Sequence, residues 1–191
     1  ADEQTVGRGR LDRKWSTPAG SGIAMSLGLS ASDFSTEISV APLIVGLATR
    51  RALNKFRVPA ELKWPNDIVI SDSGTKKLGG ILIQLVQDKL VIGIGLNVDL
   101  GIAELPVPQA TSLLIQGFEI DRIELIVAIL IELKLLIENS SEWQQEYSNA
   151  CSTIGKEIKV TNFDGSQISG VAIGVDSSGA LEIKNLENLY Q

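Results

Sequence analysis

The alternation of apolar and polar residues over the first half of the chain predicts one strand followed by one helix. Residues 23–29 form a short apolar run of β character. A polar stretch follows, in which Asp33, Ser35 and Thr36 are candidate helix caps. Residues 38–53 then place apolar side chains at helical spacing, with Pro42 in the first turns and two arginines near the end, where positive charge suits a helix C-terminus. This segment is predicted to be the first helix.

Three further apolar runs, at residues 61–70, 78–86 and 90–98, predict strands. Pro65, Asn66 and Asp67 interrupt the first run, and residues 87–89 join the other two as a hairpin. Because these runs are apolar on both faces, they predict a sheet covered by helices. A second helix is predicted over residues 120–136, and its nearly uniform apolar character predicts that it is largely buried.

The pattern changes near residue 154, where short strands replace long apolar segments. Strands are predicted at residues 158–160, 167–175 and 180–183, with Asp164-Gly165 and Ser178-Gly179 in the turns. So few residues predict a small β-barrel that is stable only when docked on a larger unit. The predicted class is α+β: a mixed β-sheet covered by helices, with a small C-terminal barrel.

These patterns predict domain bounds of 1–150 and 151–185. Residues 186–191 resemble the remnant of a protease-site tag, and residues 1–4 resemble a strand that begins upstream. The apolar segment at 123–137 contains charged residues and is too short to span a bilayer comfortably, so no membrane association is predicted.

Composition narrows the chemistry that is available. Lys and Arg number 17 against 23 for Asp and Glu, a net charge of −6 that argues against a general nucleic-acid binder. The absence of histidine excludes a Ser-His-Asp triad, a His-assisted cysteine and most zinc sites. The single cysteine, Cys151, excludes an intrachain disulfide and fits a cytoplasmic protein. The remaining cations, carboxylates and amides suit the handling of phosphates and carboxylates.

Glycines and cations are concentrated between residues 7 and 14. Gly7 and Gly9 allow backbone N–H groups to approach an anion, and Arg8, Arg10 and Arg13 supply forked donors for carboxylate or phosphate. No Walker motif GxxxxGK[ST] occurs in the chain. Spacing alone therefore predicts an anion-binding loop, and leaves open a solvated basic loop or an RNA-binding tract.

Four motifs occur in a fixed order along the first hundred residues. They are QTVGRGR with RKW at residues 4–15, KWPND at 63–67, KLGGIL at 77–82 and GIGLNV at 93–98. In sequence and order they resemble the signature motifs of the biotin protein ligases, and residues 151–184 resemble the SH3-like C-terminal domain of that family. The resemblance implies the fold of class II synthetases and of biotin and lipoate ligases.

The implied activity is that of an ATP-dependent biotin–[acetyl-CoA-carboxylase] ligase. Biotin's carboxylate attacks the α-phosphorus of ATP, giving biotinyl-5′-adenylate and pyrophosphate, with Mg²⁺ as the implied metal. A lysine of a biotin carrier domain, from acetyl-CoA carboxylase or a related carboxylase, then displaces AMP. Neither step needs an enzyme nucleophile, so fixed cations that bring two anions together are the expected catalysts. The oligomeric state, monomer or homodimer, stays open.

The resemblance also assigns site residues, some of them to more than one role. The implied biotin-binding residues are Gln4, Gly7, Arg8, Arg10, Lys77, Gly79 and Gly80. The implied ATP-binding residues are Arg10, Arg13, Trp15, Asn66, Asp67, Lys77 and Asn97. Lys77 is expected to bridge the biotin carboxylate and the α-phosphate, with Arg10 and Asp67 as the other catalytic residues. Asp67 is also the candidate Mg²⁺ ligand and a candidate for orienting the acceptor amine.

Several alternatives remain at this point. Lys77 could be an ordinary solvated lysine of an edge strand, and the two glycines of KLGGIL could serve tight sheet packing. A lipoate-type ligase would share the fold and the adenylate chemistry, and a non-catalytic nucleic-acid-binding module would use the arginine loop. The Ser-Thr-Asn segment that these ligases carry upstream of the loop is absent from the sequence, so an incomplete biotin pocket is expected.

Overall fold

The computed structural model describes residues 1–34, 37–72, 74–139, 141–161 and 164–185. Its strands are β1 (Gly7–Arg8), β2 (Lys14–Trp15), β3 (Gly22–Ser30), β4 (Ala60–Lys63), β5 (Asp67–Ser71), β6 (Thr75–Val86), β7 (Lys89–Asn97), β8 (Glu157–Thr161), β9 (Gln167–Val175) and β10 (Leu181–Lys184). Its α-helices are α1 (Ala41–Lys55), α2 (Arg122–Glu138) and α3 (Trp143–Ala150).

The main sheet has five strands in the order β3-β7-β6-β5-β4, and every ladder between them is antiparallel. Antiparallel pairing follows from the short hairpins that join β4 to β5, β5 to β6 and β6 to β7. Helix α1 carries the chain from β3, at one edge, to β4 at the other. Among the described residues, parallel pairing occurs in two isolated bridges, Leu62 with Cys151 and Lys77 with Ala110.

One face of the sheet packs on the helices. In β7 the residues Leu90, Ile92, Ile94 and Leu96 are buried in the core, together with much of α1. The alternate residues of β7 point to the other face, as the period of two in a strand requires. The predicted α+β class, a sheet with helices packed on it, is confirmed, and the second face is left for a cavity.

The predicted strand at residues 61–70 is wrong as a single element, because the chain reverses within it. Lys63 of β4 pairs with Asp67 of β5, so residues 64–66 form a hairpin turn, in which the Trp64–Pro65 peptide bond is cis. The predicted strand at residues 1–4 is also wrong. The amino group of Ala1 donates to the Ala24 carbonyl at 2.8 Å, but no ladder forms beside β3.

The first helix begins later than its pattern predicts. It starts at Ala41 after a 3-10 turn, Ile38–Val40, and no side chain at its N-cap accepts a hydrogen bond. Asp33 lies in a separate 3-10 turn and is not at the helix start. The other two predicted caps, Ser35 and Thr36, lie outside the described residues, as does the predicted tag remnant at 186–191.

Helix α2 is buried along one stripe only, contrary to the prediction. Its start is capped by Asp121, whose Oδ1 accepts from two backbone N–H groups at 2.8 and 3.0 Å. The helix packs against α1 and β3, which leaves its outer stripe uncovered. The exposed apolar residues of this stripe are Ile123, Val127, Leu130, Ile131 and Leu135. Among the described residues, no helix is long and apolar enough to cross a bilayer.

Ion pairs on α1 connect the three helices. Glu132 of α2 is buried and its carboxylate meets Lys55 Nζ at 2.6 Å and Arg51 at 3.7 Å. Arg51 Nε also donates to Glu146 of α3 at 2.8 Å, and this hydrogen-bonded contact lowers the pKa of the Glu146 carboxyl. Because a buried carboxylate without its cations would be costly, these ion pairs hold α2 against α1.

The C-terminal unit consists of a three-stranded antiparallel sheet, in the order β10-β9-β8. In the described residues these strands do not form the closed barrel that was predicted, since three strands are too few to close a cylinder. Both predicted turns are present, with Gly165 and Gly179 at φ of +84° and +81°. The second turn lies against the start of α1, so the small sheet is docked on the main unit.

Candidate functional site

A cavity of about 690 Å³ lies on the face of the sheet that the helices leave uncovered. The β1–β2 loop, strands β5, β6 and β7 and the segment 106–110 surround it. The predicted site residues that line it are Gln4, Arg8, Arg10, Arg13, Trp15, Asn66, Asp67, Lys77, Gly80 and Asn97. Gly7 and Gly79 were predicted beside them but are not among its lining residues.

A β-bulge places Lys77 in this cavity. Ile68 pairs with Gly79 and Val69 pairs with Lys77, so Leu78 is an extra residue in β6. In a regular strand, residues three apart point to opposite faces. Because of the extra residue, Lys77 and Gly80 point to the same face, and both line the cavity.

Lys77 is held through both its backbone and its side chain. Its N–H donates to the Gln109 carbonyl at 2.7 Å, and its own carbonyl accepts from Thr111 N–H at 2.8 Å. Its Nζ lies 2.6 Å from Asp67 Oδ1 and 5.8 Å from the centroid of the Trp15 ring. An ion pair and a cation–π contact therefore hold the ammonium group in one position where β6 lines the cavity.

Two glycines leave space for these side chains. A Cβ on Gly80 would lie 3.4 Å from Lys77 Nζ and 3.7 Å from Asp67 Oδ1, within the volume that the ion pair uses. A Cβ on Gly95 would lie 2.7 Å from the Trp15 ring, a distance that real contacts do not reach. The ring can therefore rest directly on the backbone of β7.

The other glycine of the KLGGIL motif has a different role. A Cβ on Gly79 would collide with Leu96 on the adjacent strand, on the side away from the cavity. Gly79 therefore serves tight packing between β6 and β7, the alternative that its sequence left open. Gly7 is also structural, because its Cβ would collide with the backbone carbonyl of Trp15 across the β1–β2 pair.

The loop between β1 and β2 forms a small closed hairpin. Gly7 pairs with Trp15, and Gly9 N–H donates to the Arg13 carbonyl at 2.6 Å. Leu11, at the tip, has a φ of +57°, which is uncommon for a residue other than glycine. The side chains of Arg8, Arg10 and Arg13 are exposed on this hairpin and line the mouth of the cavity.

The two predicted asparagines lie on opposite sides of strand β6. Asn66 is tied to Ile81 by two hydrogen bonds of 2.8 Å, one from its side chain and one to its backbone carbonyl. Asn97 is 2% exposed, and its Nδ2 donates to the Thr111 carbonyl at 2.9 Å, while its Oδ1 has no hydrogen-bond partner. A buried amide oxygen without a donor is costly, so it is a suitable acceptor for a ligand N–H.

The charges around the cavity are mostly positive although the chain as a whole is acidic. Arg8, Arg10, Arg13 and Lys77 all line it, and Asp67 supplies a carboxylate. In the described part of the chain, no group of three Asp, Glu, Cys or His side chains could hold a metal ion. The cavity therefore suits an anionic ligand better than a bare cation.

Sequence reasoning missed several residues that shape the cavity. Gly95 belonged to a quoted motif, and a glycine inside a strand was the available signal of close approach. Lys63 adds a further cation to the lining. Pro106, Val107 and Ala110 form one side of the cavity. The β-bridge between Ala110 and Lys77 attaches this segment to strand β6. No local pattern predicts this wall, because the bridge joins residues 33 positions apart in the chain.

Comparison with known proteins gives two family matches. Residues 1–100 match the biotin/lipoate A/B protein ligase family, and residues 153–189 match the biotin protein ligase C-terminal domain. The chain is 34% identical over 191 residues to a biotin–[acetyl-CoA-carboxylase] ligase of Mycobacterium tuberculosis, covering 95% of this chain and 70% of that protein. It is 27% identical over 194 residues to the bifunctional ligase/repressor BirA of Escherichia coli, covering 95% and 59%.

A solved structure shows the same fold. The structure of the biotin protein ligase from Aquifex aeolicus in complex with biotin and ATP superposes with a TM-score of 0.81 at 32% identity, over 97% of this chain and 81% of that one. The chain thus spans between 59% and 70% of the length of the two curated relatives. On these matches, the chain belongs to the biotin/lipoate A/B protein ligase family, and within it to the biotin protein ligases.

Proposed function

We propose that this chain is the catalytic part of an ATP-dependent biotin protein ligase, which forms biotinyl-5′-adenylate and transfers the biotin to a lysine of a carrier domain. One observation carries the proposal. Lys77 is held by Asp67 in a cavity that three arginines also line, so that two anions can be bound next to each other there. The matched Aquifex aeolicus protein binds biotin and ATP, as its structure records.

In the first step, a carboxylate oxygen of biotin attacks the α-phosphorus and the bond to the pyrophosphate leaving group breaks. Lys77 Nζ lies between the two reactants and offsets their mutual repulsion as the charge on the transferring phosphoryl group develops. Arg10 contacts the carboxylate or the adenylate phosphate, and Arg13 contacts the phosphates of ATP. Arg8 and Gln4 contact the biotin head group at the mouth of the cavity.

The nucleoside part of ATP is bound along β7 and the β4–β5 turn. The unpartnered Asn97 Oδ1 accepts a hydrogen bond from the adenine amino group. Trp15, which rests on Gly95, provides an aromatic face for the base. Asn66, on the other side of strand β6 from Asn97, contacts the ribose.

Asp67 is the residue that would hold the Mg²⁺ ion that accompanies ATP. Asp67 is an isolated carboxylate, and its Oδ1 is paired with Lys77 at 2.6 Å. One carboxylate fits a Mg²⁺ ion held mainly by phosphate oxygens and water, as is usual for this metal. When bound, the ion supplies charge neutralisation to the phosphates.

In the second step, a lysine amine of the carrier domain attacks the acyl carbon of the adenylate and AMP leaves. The amine must be unprotonated to attack, and Asp67 is the carboxylate in the cavity that can orient it and accept its proton. The carrier domain of acetyl-CoA carboxylase or a related carboxylase is the proposed acceptor. The use of ATP and the lone cysteine favour a cytoplasmic location.

Pyrophosphate exchange tests the first step. Labelled pyrophosphate is incubated with the protein, ATP and Mg²⁺, and with either biotin or lipoate. Incorporation of label into ATP is expected with biotin alone, since the reversible step requires the acid that fits the cavity. Exchange with lipoate alone would establish the lipoate ligase, an alternative that the relatives do not favour. Exchange with neither acid, together with salt-dependent RNA binding, would establish the nucleic-acid-binding alternative.

Mass spectrometry of an acceptor tests the second step. A biotin carrier domain is incubated with the protein, biotin and ATP, and its mass is expected to rise by one biotin. The matched control is the same domain with its acceptor lysine replaced by arginine, whose mass should stay constant. An unmodified wild-type carrier in a reaction that supports biotin-dependent exchange would contradict the proposed acceptor and leave adenylate formation intact.

A further inference from the structure

The C-terminal sheet contacts the main domain at the turn that carries Asn66 and Asp67. Trp64 Nε1 donates to the Gly179 carbonyl at 3.0 Å, in the turn between β9 and β10. The backbone N–H of Trp64 donates to Thr153 Oγ1 at 3.2 Å. One residue of the KWPND motif therefore makes two hydrogen bonds to the C-terminal unit.

The Gly179 carbonyl is held in place by its own turn. Asp176 Oδ1 accepts hydrogen bonds from the Ser178 hydroxyl at 2.7 Å, from Ala180 N–H at 3.0 Å and from Ser178 N–H at 2.8 Å, and these hydrogen bonds, the hydroxyl's most of all, lower the pKa of the Asp176 carboxyl. On its other side, a Cβ added to Gly179 would lie 3.0 Å from a methyl group of Leu43, so the turn packs closely against the start of α1. The acceptor for Trp64 is thus a fixed point on the protein.

The β4–β5 turn is held from both sides. Asn66 is bonded to Ile81 of β6 on the cavity side, and Trp64 is bonded to the C-terminal unit on the other. Asp67 follows this turn directly and is the residue that holds Lys77 Nζ at 2.6 Å. A movement of the turn would therefore move Asp67 and, with it, the Lys77 ammonium group.

We propose that Trp64 is a positioning residue for adenylate formation, which fixes the Asp67–Lys77 pair by anchoring the β4–β5 turn to the C-terminal sheet. The inference rests on the proposed function and extends it, because neither Trp64 nor Gly179 lines the cavity. Trp64 acts through the position of other groups and does not touch the reactants.

This role predicts a particular kinetic signature. Loss of the indole N–H loosens the turn, so Lys77 loses alignment with the developing charge in the transition state. The kcat of biotin-dependent exchange should fall about three- to tenfold, the effect of one neutral hydrogen bond. The KM for biotin should stay within about twofold, because the contacts that bind biotin equally in the ground state and the transition state are unchanged.

The first experiment compares Trp64→Phe with Trp143→Phe. Both variants lose an indole from a packed position, and Trp143 lies in α3 outside the cavity. The expected result is a lower kcat for Trp64→Phe alone, with similar melting temperatures for the two variants. Equal kcat values for both variants would overturn the inference, provided that the wild-type protein catalyses exchange. A wild-type protein without exchange would overturn the proposed function instead.

A second variant covers the case in which Trp64→Phe does not fold. Thr153→Val removes the acceptor of the Trp64 backbone N–H while keeping the shape of the side chain. A folded Thr153→Val protein should show a fall in kcat of about two- to fivefold without a change in the KM for biotin. A wild-type kcat in this variant would overturn the inference.

A double-mutant cycle tests the path of the effect. If Trp64 acts through Asp67, the Trp64→Phe change should cost less than about twofold in an Asp67→Asn background, because the pair that it positions is already lost. Thr153→Val should behave in the same way. Full additivity of either change with Asp67→Asn would show that the turn acts by another route, and the proposed path would be wrong.

Discussion

The two walls of the cavity are built in opposite ways. On the sheet wall, Lys77 is bonded through its N–H, its carbonyl and its ammonium group, and Asn97 is buried. On the loop wall, Arg8, Arg10 and Arg13 are exposed on a hairpin that is closed by its own backbone. The same kind of charge is therefore fixed on one side and solvated on the other.

This difference separates two tasks. A fixed charge in a partly enclosed site stabilises a transition state without reorganising, so the sheet wall should set the rate of adenylate formation. Solvated arginines gain most when an anion arrives and orders them, so the loop should set how long the adenylate is retained. Changes on the sheet wall should then affect rates strongly, and changes on the loop should affect retention more weakly.

The largest effect is expected from Lys77→Met, which keeps the length of the side chain and removes its charge. The rate of biotin-dependent pyrophosphate exchange should fall roughly 100- to 1000-fold, the range for loss of one preorganised electrostatic contact. Lys76→Met is the matched control, because the Lys76 ammonium donates to the Pro108 carbonyl at 2.7 Å on an exposed surface. If both variants lose the same activity, the fixed-charge interpretation of the sheet wall is wrong.

Asp67→Asn should have the next largest effect, on the second step in addition to the loss of Lys77 alignment in the first. The amide cannot accept the proton of the incoming amine, so transfer from preformed biotinyl-adenylate should slow roughly 10- to 100-fold. Single-turnover transfer to a carrier domain measures this rate separately from adenylate formation. An unchanged transfer rate would remove Asp67 from the second step and restrict it to the pairing with Lys77.

Much of the fold could be predicted because its elements are local. The hairpin of β6 and β7 and the two long helices follow from periodicity within a single run of residues. The outer stripe of α2 could not be predicted, since apolar content at Val127 or Ile131 does not reveal which neighbours cover a helix. The reversal at residues 64–66 was visible only as an interruption by Pro65 and Asn66, since the sequence does not show that the strands on its two sides pair with each other.

The site was predicted by motifs, and its geometry was not. The motifs indicated Lys77, but a regular strand would turn it away from Gly80, and the bulge at Leu78 reverses this. Gly79 and Gly80 within the strand are a local sign of a bulge, but they do not show which residue is the extra one, because the register between β5 and β6 decides that. The role of Gly79 was left open for the same reason, because only the position of Leu96 across the sheet decides it.

Gly95→Ala tests how the loop and the sheet meet at Trp15. The new methyl group would lie 2.7 Å from the ring, so the ring must leave β7 and Lys77 loses its aromatic neighbour. The affinity for a non-hydrolysable ATP analogue should fall roughly tenfold, the value of a lost aromatic contact. Gly28→Ala is the matched control, because a Cβ on Gly28 of β3 would have no atom within 4 Å and Gly28 does not line the cavity. Calorimetry should show near wild-type affinity for the control, and equal losses would contradict the role of Trp15.

Arg10→Gly should have the smallest effect, and it is the direct test of the loop wall. The exposed guanidinium contributes little to the rate of the chemical step, but its loss should speed release of the bound adenylate roughly two- to fivefold, as expected for one exposed ionic contact. Release is measured by trapping free biotinyl-adenylate after rapid dilution. Lys14→Gly is the matched control, since it removes one positive charge from the same hairpin at a residue that also lines the cavity but has no proposed ligand contact. Faster release in Arg10→Gly alone, with normal exchange, would assign retention to the loop. Equal release in both variants would show that the hairpin acts only through its total charge, and the contrast between the two walls would then rest on Lys77 alone.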